Sequence, residues 1–368
     1  MVPEATLTKQ PTGDEAGDNG HRYHFAVRIW LLIVAALIAA IFVVGGLTRL
    51  TDSGLSITEW QLISGALPPL SDEAWQTAFD KYRQIPEYQL VNKGMDMAAF
   101  KAIYWWEWGH RFLGRFIGIA FFVPFVFFWM KKAFDRQLAG RLIVIFILGG
   151  LQGALGWYMV KSGLVDRVDV SQYRLASHLG LAVLLFGAVF WTFLDLGNHR
   201  RDIAHGTGNT RFAFVIIVAV FLQILLGALV AGIHAGRSYN TWPLMDGDWV
   251  PEGLLDKSPV ILNFFENIAT VQFDHRIAAY VIVILVLYQA FRVFKVRPQK
   301  PVATSALILV GVMVVQVLLG IWALLAVVPL ELAIAHQSGA LILFAAAIYH
   351  LHCLKRVELS QAPDQGQQ

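Results

Sequence analysis

Long apolar runs alternate with short polar clusters along almost the whole chain, and eight of the runs come close to or exceed the ~20 residues a helix needs to cross a bilayer. They fall at roughly 27–47, 112–129, 142–160, 177–196, 212–230, 277–294, 302–328 and 332–351. The pattern predicts an all-α integral membrane protein. Between the first two runs, Ser71 follows Pro68-Pro69 and precedes Trp75, Phe79 and Tyr82 at helical spacing, which reads as a capped amphipathic helix. Such a helix lies on the membrane or lids a pocket, the interface being its commoner position. Asp96 is placed to cap the second long helix, and Ser258 with Pro259 to start the sixth, so both helices project from the outer surface.

Charge sets the orientation. Lys131, Lys132, Arg136 and Arg141 fill the second loop, Arg200, Arg201 and Arg211 the fourth, and Arg292, Lys295, Arg297 and Lys300 the sixth. The fifth loop is acidic, with Asp246, Asp248, Glu252, Asp256 and Glu266. Short basic loops stay on the cytoplasmic side, so both termini are expected inside. Composition agrees, at 57% hydrophobic and 15% charged residues, and a net charge of +3 gives no reason to expect a nucleic-acid partner. Cys353 is the only cysteine, so no intramolecular disulfide forms. The acidic tail is unlike a mitochondrial transit peptide and the first apolar run is too long for a cleaved signal, which places the chain in a bacterial inner membrane.

The sequence also repeats. Thr51 to Trp60 aligns with Ile233 to Trp242, Leu151 to Gly156 with Val315 to Gly320, His110-Arg111 with His275-Arg276, and Ser177-His178 with Ala335-His336. Four spans are thus followed by four with matching signals, which predicts eight transmembrane helices as two repeated four-helix bundles. The expected division is a disordered tail over 1–24, an N-terminal half over 25–198, a C-terminal half over 199–354 and a cytoplasmic tail over 355–368.

Of eleven histidines, His110, His178, His275 and His336 share one placement, near the outer ends of the even-numbered spans. A single membrane histidine is as often packed as functional, but four at matching depth in a duplicated frame point to ligation. Two imidazoles from facing helices, with no cysteine or carboxylate cluster beside them, suit an axially held haem iron better than a four-ligand zinc site. Arg111 and Arg276 are placed to reach haem propionates or to snorkel to headgroups. Trp105, Trp106 and Trp108 read as an interfacial belt. His21, His24, His199, His205, His234, His350 and His352 show no pairing pattern. One asymmetry stands out between the halves: Glu107 lies three residues before His110, whereas Gln272 lies three before His275.

The motifs Gly45-Gly46-Leu47-Thr48-Arg49, Thr58-Glu59-Trp60, Glu107-Trp108-Gly109-His110-Arg111, Ser177-His178-Leu179-Gly180, Asp274-His275-Arg276 and Ala335-His336-Gln337-Ser338-Gly339 together resemble the haem A synthase family of proteobacteria and mitochondria. The resemblance implies oxidation of the C8 methyl of haem O to a formyl group, giving haem A for cytochrome oxidase. It implies that His110 and His178 belong to the substrate haem site, that His275 and His336 hold a haem b cofactor, and that Glu107 is catalytic. It also implies haem O synthase and cytochrome oxidase assembly factors as partners. Some members carry a cysteine pair in outer loops, and this chain has none. A two-haem electron carrier without chemistry on the porphyrin explains the four histidines equally well but leaves the contrast of Glu107 with Gln272 unexplained.

Overall fold

The computed structural model describes residues 15–60, 64–166, 168–197 and 208–361. His199, Arg200, Arg201 and His205 lie outside the described residues. In chain order the helices are α1 (Glu15–Leu50), α2 (Asp72–Tyr82), α3 (Pro86–Leu90), α4 (Met97–Met130), α5 (Arg136–Asp166), α6 (Gln172–Leu196), α7 (Gly208–Gly232), α8 (Asn263–Glu266), α9 (Ile268–Lys295), α10 (Lys300–Leu325) and α11 (Leu330–Gln361). Eight of these, α1, α4 to α7 and α9 to α11, are long and apolar enough to cross a membrane. Helix α1 starts at Glu15, inside the segment expected to be unstructured.

Helices α1, α4, α5 and α6 close a ring of contacts, α1 on α4, α4 on α5, α5 on α6 and α6 back on α1. Helices α7, α9, α10 and α11 do the same. The two rings meet through α1, α6, α7 and α11, whose Leu31, Val34, Val183, Val189, Ile216, Val220, Phe344 and Ile348 lie in one continuous buried core. Exposed apolar side chains instead crowd α4, α5, α9 and α10, among them Phe116, Phe122, Ile147, Ile284 and Leu318. A helix that is apolar all round keeps one face for its neighbours and leaves the other for lipid, which sorts the inner from the outer helices here.

Between α1 and α4 the chain builds a second, smaller core. Ser71 caps α2 by accepting a bond from Ala74 N, as the sequence predicts. Trp75, Phe79 and Tyr82 then bury against Phe100 and Tyr104, with Phe79 stacked on Phe100 at 4.9 Å and Trp75 edge-on to Tyr104 at 4.9 Å. Helix α2 therefore docks on the protein rather than on lipid, because α4 extends beyond its apolar stretch and offers it an aromatic face. Asp96 caps that extension through Ala99 N at 2.8 Å. The expected cap of the sixth span is displaced. Asn263 binds the backbone N and O of Lys257 and folds 257–263 into a closed loop, so α9 starts later, with Asn267 accepting from Ala269 N and Thr270 N.

Glu87 is buried in this outer cap at 3% exposure, where it accepts a hydrogen bond from the Tyr82 hydroxyl at 3.2 Å. Burial pushes its carboxyl up to about 8 from 4.5. A carboxyl whose value is raised in the fold favours the folded cap when protonated. Its penalty grows as pH rises from 4.5 and is complete above about 8. Hydrogen exchange across α2 and α3 is therefore expected to quicken between about pH 5 and about pH 8.5 beyond the intrinsic rate, and Glu87→Gln to remove that excess. An unchanged excess in the Gln variant would assign it to another group.

Candidate functional site

Each of the four histidines is reached by a glycine of the preceding long helix. A Cβ on Gly45 of α1 would stand 3.2 Å from His110 Nε2, and one on Gly156 of α5 2.9 Å from His178 Cε1. In the other ring, a Cβ on Gly227 of α7 would stand 3.3 Å from His275 Cε1, and one on Gly320 of α10 2.7 Å from His336 Cε1. Every imidazole thus lies edge-on against bare backbone, an approach that a side chain would obstruct.

His275 and His336 face one another with ring centres 6.5 Å apart and planes 75° apart. With metal–imidazole bonds of about 2.0 Å and roughly 1.1 Å from nitrogen to ring centre, a metal between two rings sets the centres about 6.2 Å apart. The spacing fits a shared iron. Glutamines accompany three of the rings: Gln152 Nε2 donates to His178 O at 3.1 Å, Gln223 Nε2 to His275 O at 2.9 Å and Gln316 Nε2 to His336 O at 3.0 Å.

One turn before His110, Glu107 is 2% exposed and accepts three hydrogen bonds, from Ser56 Oγ at 2.8 Å, Ile57 N at 2.7 Å and Arg111 at 2.5 Å. Arg111 also donates to the carbonyls of Ile57 at 2.8 Å and Glu59 at 3.0 Å. In the other ring Arg276 repeats the carbonyl contacts of Arg111, while Gln272 donates to its loop where Glu107 accepts. Gln272 donates to Ala235 O and Ser238 O at 3.0 and 2.5 Å. Arg276 donates to Gln272 Oε1, Tyr239 O and Thr241 O at 3.2, 2.6 and 2.9 Å. Both arginines are turned inward onto loop backbone, so neither snorkels to headgroups, and each staples an outer loop over the end of its histidine helix. Arg276 Nε remains buried without a partner among the described residues.

Three polar groups that sequence reading passed over have definite places. Arg49, at the end of α1, donates to Ala231 O at 3.1 Å and lies 3.0 Å from His234 Nε2, tying the ends of α1 and α7 together. Asp52, Asp169 and His234 bring ligand atoms within 4.8 Å of one another, but the Arg49 guanidinium bonds Asp52 and His234 there, making an ion-pair network rather than a metal centre. His350 is fully buried in α11, 3.2 Å from Gln289 Nε2 and 2.9 Å from Ser305 Oγ, and so is a satisfied core residue. His352 reaches Asp195 at 3.5 Å. Trp105 and Trp106 are partly exposed on α4, while Trp108 stacks on Phe112 at 5.0 Å.

The sequence profile of the COX15-CtaA family, cytochrome oxidase assembly protein, matches residues 28–348. A haem A synthase of Parvibaculum lavamentivorans is 55% identical over 333 residues, 90% of this chain and 95% of the relative. Haem A synthases of Nitrosospira multiformis and a Chelativorans species are 51% identical over 333 residues and 49% over 343, covering 90% and 93% of this chain and 94% and 95% of those proteins. The match runs from the apolar part of α1 to the final helix and takes in all four histidines, so the chain belongs to the COX15-CtaA family of cytochrome oxidase assembly proteins.

Proposed function

We propose that this protein is a haem A synthase, oxidising the C8 methyl of haem O to a formyl group. The observation that carries the reading is the pair of imidazole sites, each faced by glycines, in a chain about half identical to proteins of that name over nine-tenths of its length. His110 and His178 hold the substrate haem, and His275 and His336 hold a haem b cofactor. Bound there, haem b supplies one-electron redox chemistry. The two helix rings are two copies of one four-helix unit with both termini cytoplasmic, in a bacterial inner membrane. Support comes from Arg111 and Arg276, which bind loop carbonyls at aligned positions, and from the basic second and sixth loops.

The chain's own residues do three things for this reaction. Paired imidazoles orient the porphyrin across its ring. The stapled loops 53–59 and 235–241 close the outer ends of the two sites, with Arg111 and Arg276 beside them to meet propionates through N–H groups not used on carbonyls. Glu107 brings a carboxylate to the substrate half alone, where it takes up a proton released as the methyl carbon loses electrons. Its contacts leave it little spare acceptor capacity, so proton uptake proceeds with rearrangement of the Ser56 or Arg111 bond.

Gln272 shows that an amide at this position accepts from the matching arginine, although it donates to its loop where Glu107 accepts. Glu107→Gln is expected to fold, to bind haem b, and to accumulate haem O. Loss of a positioned proton acceptor lowers the rate about a hundredfold to ten-thousandfold, which pigment extraction from membranes of the variant would read as near absence of haem A. Haem A formed at the parental rate would reduce Glu107 to a loop anchor. Glu107→Ala is the worse test, since it strands Arg111, Ser56 and Ile57 N at roughly 1–3 kcal/mol each. For topology, a reporter active only in the periplasm is expected to work after Pro69 or Gly247 and to fail after Arg201 or Arg297. The reverse pattern would move both histidine pairs to the cytoplasmic face.

A further inference from the structure

The glutamines and glycines around the four rings form a pattern that is broken once. Gln152 precedes Gly156, Gln223 precedes Gly227 and Gln316 precedes Gly320, each by four residues and hence on the same helical face. Each such pair sits on the long helix before its histidine, the glycine against the ring and the amide against the histidine's backbone. The amide nitrogens also reach the rings, Gln152 at 3.4 Å from His178 Nε2, Gln223 at 3.2 and 3.3 Å from His275 Nδ1 and Nε2, and Gln316 at 3.2 Å from His336 Nδ1. The fourth glycine, Gly45, faces His110, but the residue four before it is Ile41. Among the described residues no hydrogen bond to the His110 ring is found.

Extending the alignment of Thr51 to Trp60 with Ile233 to Trp242 back along the first helix of each half pairs Gly45 with Gly227 and Ile41 with Gln223. The substitution is therefore confined to one ring and to one residue. Ile41 fills the space with its own contact, its Cδ1 lying 3.5 Å from the Cβ position of Gly114 on α4. In the other three places the glutamine Oε1 is buried without a hydrogen-bond partner among the described residues. An unpaired buried amide oxygen is costly, and it becomes useful once a metal takes one ring nitrogen. The other nitrogen of a neutral metal-bound imidazole is an N–H that needs an acceptor, and turning the amide about its last bond presents that oxygen, in exchange for the bond from Nε2 to the histidine carbonyl.

We infer that Gln152, Gln223 and Gln316 are positioning residues that fix the rotation of three iron-ligand rings, and that Ile41 leaves His110 as the releasable ligand through which haem O enters and haem A leaves. This rests on the haem assignment above. It explains why two sites built alike serve differently: a cofactor site holds both rings, whereas a substrate site must let one go. Removing the outer partner of a metal-bound histidine lowers metal affinity by about ten- to a hundredfold, which is a large enough step to separate retention from exchange.

The test uses the full-length protein in detergent, loaded with iron protoporphyrin IX, and follows transfer of haem to excess apomyoglobin together with the low-temperature electron paramagnetic resonance spectrum. Parental protein is expected to give a fast phase from the His110 site and a slow phase from the His275 site. Ile41→Gln should slow the fast phase by about ten- to a hundredfold and leave the slow phase as it was. Gln223→Leu and Gln316→Leu should quicken the slow phase by a similar factor and shift the g-values of the low-spin signal, which a merely space-filling role would leave unmoved. If both phases and the g-values in all three variants match the parent, the glutamines position nothing and the inference falls while the haem assignment stands. Parental protein that takes up no haem would remove the haem assignment itself. Should a leucine variant fail to fold, Ile41→Gln decides alone, with the surviving slow phase as evidence that it folded.

Discussion

An imidazole ring pressed edge-on against a glycine is the contact on which this site depends. At Gly320 even a methyl group would stand 2.7 Å from His336 Cε1, and at Gly156 2.9 Å from His178 Cε1, both inside van der Waals separation. Small residues let helices in lipid approach closely, but here the closest approach is to a ring and not to another backbone. The consequence is geometric. The rings lie along the neighbouring helices, and His275 and His336 have ring centres 6.5 Å apart. The rest of the fold, with its lipid-facing α4, α5, α9 and α10 and its shared core of α1, α6, α7 and α11, holds those rings in register.

A second constraint works from outside the bundle. The loops before α2 and after α7 run over the outer ends of the histidine helices and would carry unsatisfied carbonyls if left alone. Arg111 and Arg276 bind those carbonyls, and Glu107 and Gln272 hold the loops from the same helical face. The arginine contacts correspond, yet one half uses a carboxylate that accepts from Ser56 Oγ and Ile57 N where the other uses an amide that donates to Ala235 O and Ser238 O.

Much of this was legible in the chain. Apolar runs mark the eight spanning helices, Ser71 and Asp96 mark two caps, and the recurrence of histidine at one depth picks out His110, His178, His275 and His336. What stayed hidden depends on partners distant in sequence. Ser258 has the look of a cap, but Asn263 closes the loop behind it and Asn267 takes the position. Arg111 and Arg276 were open to headgroups or propionates until their carbonyl partners, about fifty and thirty-five residues away, came into view. The helix of Trp75, Phe79 and Tyr82 has the pattern of an interfacial helix, and only the extension of α4 gives it a protein surface to cover. Gln152 and Gln316 stood out as markers of the repeat without revealing their contact with a ring.

The claim that most of this account rests on is that the two histidine pairs hold two haems with different duties. It is tested most directly by measuring bound pigment in purified protein from a host that makes haem O, comparing the parent with two double variants. His275→Ala with His336→Ala is expected to lose haem b and its low-spin spectrum. His110→Ala with His178→Ala is expected to keep that spectrum and to lose haem O and haem A. Loss of the same pigment from both double variants, or of none from either, would contradict the division into substrate and cofactor sites.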